Sequence, residues 1–283
     1  MRVKKIAYFI PMFILLLVLS ACSGKAEKVV VKPLTKDQVM TKVSQQLKKQ
    51  TKLIPTQYHL KESLIAGGWV ESKIDYYGVN EYYTQSKYSD GSSDEQVYQL
   101  PGYQYNRDAY EGEKKEWSKI PYERPFKEDD IKSLTSSGSI NDLKAQTYFS
   151  ILESVQGQVQ MKETGKAYVL DLTSTDTSNN LKWMQGYLKH YDVIDPKETA
   201  FQKYHTKMVI DKKTFAVQSI ENEVFYTRQT FNPDNGVKGQ KHLDIQTVIE
   251  YPTAKKLIVP QNVINEADKN DPYKQFEQQF QQK

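Results

Sequence analysis

The chain has 283 residues, 39 Lys and Arg against 35 Asp and Glu, and a formal net charge of +4, with no basic block of the kind that tracks phosphates. Its single cysteine rules out an internal disulfide framework. Twenty Tyr against ten Phe and three Trp favours β-strands whose aromatic faces are only partly dry.

The first residues, Met1 to Lys5, form a short basic start that runs into the apolar stretch Ile6 to Leu19. This n-region and h-region pattern is that of a secretory signal. At roughly 14 residues the stretch falls short of the ~20 that a membrane crossing needs. It ends in Leu19-Ser20-Ala21-Cys22, which resembles the lipobox of bacterial lipoproteins. Small residues before the cut let an extended backbone enter a protease cleft, and the Cys22 sulfur is the nucleophile that diacylglycerol alkylates.

The expected organisation is therefore a signal peptide over 1–21, a lipidated Cys22 with a tether to residue 33, and one domain over 34–283, held by lipid on the outer face of the cell membrane. Two or three acyl chains on one cysteine anchor firmly, since each buried methylene contributes about 0.8 kcal/mol. Alkylation of Cys22 also removes catalytic thiol chemistry and zinc–thiolate sites. Loss of Arg2, Lys4 and Lys5 leaves 36 basic against 35 acidic residues, a net +1, so the charge carries no nucleic-acid signal.

Ser23 to Lys32 has no periodic face and is read as a tether reaching at most roughly 35 Å. Thr35-x-x-Gln38 has the form of a capping box, and Val39, Val43 and Leu47 follow at helical spacing, which predicts an amphipathic helix to about Lys49. From Thr56 to Arg107 the pattern alternates, with strands expected over 58–66, 69–77, 81–88, 95–100 and 103–107, and a hairpin at Asp90-Gly91. Gly67-Gly68 is read as a bulge or bend, and Trp117-Ser118-Lys119 opens another short extended piece.

Residues 127–155 turn helical: Ile131 and Leu134 mark a first piece, and Leu143, Thr147 and Ile151 with Tyr148 and Leu152 a second. Ala167 to Thr173 is a strand with Tyr168, Leu170 and Leu172 on one side. A polar loop and a helix with Leu181, Met184 and Leu188 on one face come next. Tyr204 to Ile210 and Phe215 to Thr227 are two strands joined by the tight turn 211–214. Leu243, Ile245, Thr247, Ile249 and Tyr251 alternate with polar residues and give the cleanest period-2 run in the chain. After Val259-Pro260-Gln261-Asn262-Val263 comes a Gln-rich tail, expected to be a short helix or coil.

Three stretches in this order, Tyr103-Gln104-Tyr105 leading to Trp117-Ser118-Lys119, the hairpin Met208 to Phe215, and Ile258 to Val263, resemble the LolA-like family. That superfamily includes the LolA and LolB lipoprotein carriers and the mycobacterial LppX-type lipoproteins. The resemblance is architectural and spans most of the mature chain. It implies an α+β fold: a curved antiparallel sheet, or half-open barrel, with helices covering the concave face and an apolar cavity between them. In the family such cavities take acyl chains or other hydrophobic ligands. The tyrosine excess and the many charged strand residues depart from a purely lipidic lining.

No residue pattern points to catalysis. His59, His190, His205 and His242 sit on different elements without ligand spacing, and no Gly-x-Ser-x-Gly, Ser-x-x-Lys or phosphate loop occurs. Glu128-Asp129-Asp130 suits a helix start, stabilised by the dipole without a metal. No cofactor and no metal is expected.

The reading is a noncatalytic lipoprotein that binds a hydrophobic or amphipathic ligand, with pocket candidates Trp117, Tyr168, Leu170, Leu172, Trp183, Met184, Leu243, Ile245 and Ile249. Its partners would be the membrane, through the lipid on Cys22, and a lipid or other hydrophobic ligand. The alternative is an adaptor lipoprotein that docks an envelope protein or membrane complex and holds no ligand.

Overall fold

The structure is a computed structural model that describes residues 33–50, 54–64, 67–78, 80–91, 94–107, 115–121, 143–175, 199–231, 236, 238–252 and 256–270. The expected signal peptide, Cys22 and nearly all of the expected tether lie outside these residues. So do the pieces expected around Ile131 to Leu134 and Leu181 to Leu188, with Trp183 and Met184, as well as His190, Glu128-Asp129-Asp130 and the Gln-rich tail. Met1–Thr35 and Lys36–Lys283 are two separate units, and all described secondary structure belongs to the second.

Helix α1, Lys36–Lys49, buries Val39, Met40, Val43 and Leu47, the stripe that its spacing predicts. Asp37 in its first turn and Lys48 and Lys49 in its last complement the helix dipole. Six strands follow as a meander: β1 (Thr56–Ser63), β2 (Trp69–Gly78), β3 (Glu81–Tyr88), β4 (Asp94–Leu100), β5 (Tyr103–Arg107) and β6 (Ser118–Pro121). Helix α2, Ala145–Ser154, precedes a second meander of β7 (Gln160–Glu163), β8 (Ala167–Ser174), β9 (Thr199–Asp211), β10 (Val217–Phe231) and β11 (Lys238–Glu250). Helix α3, Gln261–Lys269, closes the described chain.

All eleven strands join one curved antiparallel sheet in the order β6-β5-β4-β3-β2-β1-β11-β10-β9-β8-β7. The two meanders meet at its centre, where β1 pairs with β11 from Gln57↔Glu250 to Glu62↔Ile245. The sheet does not close on itself: β6 and β7 are its edges. Four-residue edge strands with Lys119, Lys162 and Glu163 present little unpaired backbone to another chain.

Local chemistry explains the connections. Gly67 and Gly68, at φ of +99° and +84°, make the β1–β2 turn, and a side chain at Gly68 would collide with Ser89 Oγ, which accepts the Trp69 N–H at 2.9 Å. The β9–β10 turn is built on Asp211, whose carboxylate accepts the Thr214 N–H at 2.8 Å, the Thr214 hydroxyl at 3.0 Å and the Lys213 N–H at 2.9 Å. These bonds, those from Thr214 first, hold the Asp211 pKa below the usual carboxylate value.

Because side chains alternate across a strand, the registers fix which residues share a face. One row crosses the sheet through Val97, Thr84, Ile74, Tyr58, Ile249, Ile220, Met208 and Leu170. All of these except Thr84 are buried. Helices α1 and α2 cover this inner face. Lys42 of α1 lies 5.0 Å over the Phe215 ring, which stacks on Tyr168 of β8, and α2 lies against β10 with Phe149 and Leu152 fully buried. Lys36 Nζ ties α1 to the end of α2 through the carbonyls of Gln156 and Val159 at 2.7 and 2.8 Å. Burying each such Leu, Ile or Phe contributes about 1.5–3 kcal/mol.

Candidate functional site

Four rows of inner-face residues run across the central strands, and they differ in character. The row through Ile74, Tyr58, Ile249, Ile220, Met208 and Leu170 is apolar but for the Tyr58 hydroxyl. The next is largely polar: Ser86, Ser72, Leu60, Thr247, Asn222, Thr206 and Leu172 face one another in register. Beyond it come Val70, Glu62, Ile245, Val224 and Tyr204, and then Leu243, Tyr226 and Phe201. A polar band thus lies between apolar rows.

The members of that band differ in how they are satisfied. Ser72 and Ser86 hydroxyls meet at 3.3 Å, and the Thr206 hydroxyl donates to the Glu221 carbonyl at 3.3 Å. Asn222, 4 % exposed, has no hydrogen-bond partner for either side-chain amide atom, and Thr247, 1 % exposed, has none for its hydroxyl. Buried polar groups are paired in the large majority of cases, so two unmatched neighbours in one register are a feature that needs a reason. Glu62 stands one row away, paired across to Ile245 and Val70. Burial pushes its carboxyl up to about 7.

The structure distributes the sequence candidates over two faces. Leu170, Leu172, Leu243, Ile245 and Ile249 are all within 2 % of complete burial on the inner face, and Tyr168 is on the same side, 7 % exposed and stacked 6.2 Å from Phe215. Trp183 and Met184 lie outside the described residues. Trp117 belongs elsewhere. Tyr98 and Tyr105 face each other on the side opposite Val97, and Trp117 packs there with Tyr105, Val263 and Ala267, its ring 5.5 Å from Tyr98. Alternation in β4 and β5 is the physical cause, since residues next in sequence to inner-face positions point outward.

That outer patch accounts for part of the tyrosine excess. Tyr83 and Tyr98 rings are 4.5 Å apart, Tyr103 and Tyr105 meet edge-on at 5.6 Å, and Lys119 lies 4.6 Å over Tyr103. Burial, with the neighbouring Tyr98 and the carboxylates of Asp75 and Asp94, pushes the Tyr83 hydroxyl up to about 12. Helix α3 seals the patch: the Trp117 N–H donates to Glu266 Oε1 at 3.2 Å, and Asn270 Nδ2 donates to the Trp117 carbonyl at 3.1 Å. The remaining polar outer face carries cross-strand pairs, His59 with Glu71 at 2.7 Å, His205 with Asp171 at 3.4 Å, and Lys207 with Glu221 at 2.9 Å. Among the described residues no three His, Cys, Asp or Glu side chains converge as a metal-ligand set.

A cleft of about 140 Å³ sits at the sheet margin between Pro55, Gln57, Asp75, Tyr77 and Pro252. It is smaller than the roughly 300–1,000 Å³ of ordinary ligand pockets.

No family model matches the sequence, and no curated protein matches it. Among solved structures the chain is similar to a LolA superfamily protein of Nitrosomonas europaea, 11 % identical over 82 % of this chain and 97 % of that one, with a TM-score of 0.20. It is also similar to a DUF1329 family protein of Desulfovibrio piger, 10 % identical over 79 % of this chain and 94 % of that one, again with a TM-score of 0.20. At that TM-score neither likeness says more about what this chain does. The single curved antiparallel sheet with helices over its inner face, by contrast, is the α+β fold that the resemblance read from the sequence implies.

Proposed function

We propose that this chain is a noncatalytic extracytoplasmic lipoprotein, anchored through lipid on Cys22, that holds a hydrophobic or amphipathic ligand between the inner face of its sheet and the helices over it. The observation that carries the reading is the polar band inside that face, where Asn222 and Thr247 are buried between apolar rows with no protein partner for their side-chain polar atoms. The half-buried Glu62 carboxyl and the unmatched polar atoms on the same wall favour an amphipathic occupant over a purely hydrocarbon one.

The test uses the chain from Ser23 onward, which retains the whole unit Lys36–Lys283 and every described element. Solvent extraction of the purified protein, followed by mass spectrometry, is expected to yield a stoichiometric hydrophobic molecule, and the emptied protein is expected to take up a neutral fluorescent acyl ester. No extracted ligand together with no uptake contradicts the proposal.

A second reading, an adaptor that docks an envelope protein, would use Ile258, which stands 78 % exposed next in sequence to Val259 of the aromatic patch. Crosslinking in native membranes separates the two. A stoichiometric protein partner captured through Ile258 supports the adaptor.

A further inference from the structure

We propose that the inner face of β1, β11 and β10 carries a recognition band, centred on Asn222 and Thr247, for the ester or amide linkage of an acylated ligand. This rests on the reading that a ligand enters between the sheet and the helices, and adds which part of it the protein recognises.

Asn222 and Thr247 are opposite residues in the β10–β11 register, and each is at least nine-tenths buried. The amide of Asn222 offers two N–H donors and an acceptor oxygen, and the Thr247 hydroxyl offers one of each. None of these has a protein partner. A strand that needed only to pack here would be served by Leu and Val, which leave nothing unsatisfied. The neighbours of the band are apolar on both sides: Ile220 and Ile249 on one, Val224 and Ile245 on the other. A molecule fitted to this surface is apolar at both ends and hydrogen-bonding between them.

The kind of polar group follows from what faces it. An ester or amide carbonyl accepts from Asn222 Nδ2 and from the Thr247 hydroxyl, and an amide N–H or a free glycerol hydroxyl donates to Asn222 Oδ1. A hydrocarbon satisfies none of these atoms. A fatty acid anion is disfavoured as well, because the rows beside the band hold no cation to pair a carboxylate taken out of water. The preferred class is a neutral acyl ester or amide, and monolaurin and lauramide represent its two forms.

Displacement of bound 1-aminoanthracene from the chain starting at Ser23 tests this. Monolaurin or lauramide is expected to displace the dye at least tenfold more tightly than dodecane or laurate, and whichever of the two binds better tells ester from amide. In an Asn222→Leu, Thr247→Val double variant that preference is expected to vanish while dodecane displaces as before and the melting temperature does not fall. Should the double variant not fold, the near-isosteric Thr247→Val alone decides: a loss of at least threefold for monolaurin supports the band, and none overturns it. Equal displacement by monolaurin and dodecane in the native chain, or an unchanged preference in the variant, overturns the band while leaving the binding reading intact. Failure of the dye and of every ligand to bind overturns both.

Discussion

On the inner face, α1 and α2 press Val39, Val43, Phe149 and Leu152 against a wall of Leu, Ile, Met and Tyr that continues through a polar band. On the outer face, α3 covers a compact aromatic patch at the β4–β6 end, and two hydrogen bonds join α3 to the Trp117 backbone. The outer patch is finished: ring meets ring, and the helix is tied at both Glu266 and Asn270. The inner face leaves two polar side chains that face each other in register, Asn222 and Thr247, unmatched, whereas the unmatched oxygens of the outer face, on Asp94 and Asp244, stand on the distant strands β4 and β11. A surface meant only for stability resembles the first, and the contrast between them is the reason to place a ligand on the second.

Four substitutions break or sharpen this contrast. Phe149→Ala empties a fully buried site under α2 and is expected to lower stability by about 3–5 kcal/mol, read by urea unfolding. A loss under 1 kcal/mol would mean that α2 is not part of the inner core. Trp117→Ala is expected to lower stability by about 3 kcal/mol, with faster amide exchange in α3 and unchanged exchange in β9–β11. Faster exchange across the whole sheet would show that the two faces are not separate.

Glu62→Gln sharpens the comparison through pH. Because burial raises the folded pKa of Glu62 from 4.5 to about 7, the native protein binds the proton more tightly than the unfolded chain. Stability is therefore undiminished below the unfolded value, falls as pH rises from about 4.5 to 7, and stays lowered above that. The variant is expected to gain up to about 3 kcal/mol over the native chain at pH 8 and nothing at pH 4. An equal effect at both values would show that Glu62 is ionised and solvated.

Asp211 has the opposite sign. Its pKa is depressed, so its contribution is present above the unfolded value and is lost as pH falls through the folded one. Asp211→Ala at this exposed turn is expected to lower the melting temperature slightly at pH 7 and not at pH 2. A drop of similar size at pH 2 would locate its role in packing.

Much of the fold was legible because its strands obey the period of two. The run Leu243, Ile245, Thr247, Ile249 is buried throughout, and Asp90-Gly91 makes the hairpin that its sequence predicts, with Gly91 at a φ of +73°. Helix α1 was equally plain from Val39, Val43 and Leu47. What stayed hidden has physical causes. β7, Gln160–Glu163, is short, polar and at an edge, so no apolar alternation marks it. β9 begins at Thr199 rather than Tyr204, and an irregularity opposite Phe225 and Tyr226 shifts its register there.

Helix α3 is short and weakly marked in the sequence, its signs being Pro260 at its start and Val263 and Ala267 at i, i+4. The side taken by Trp117 depends on β4–β5 pairing and the docking of α3, neither of which one strand's sequence reveals. The polar band is harder still, since Thr206, Asn222 and Thr247 lie on three strands and become neighbours only through register.

Photo-crosslinking with a diazirine-bearing acyl ester, followed by peptide mapping, tests the central claim most directly. The account predicts adducts confined to inner-face peptides, those containing Leu170–Leu172, Ile220–Val224 and Leu243–Ile249, and competed away by monolaurin. Adducts on the Tyr98–Trp117 patch, or none above background, would contradict it.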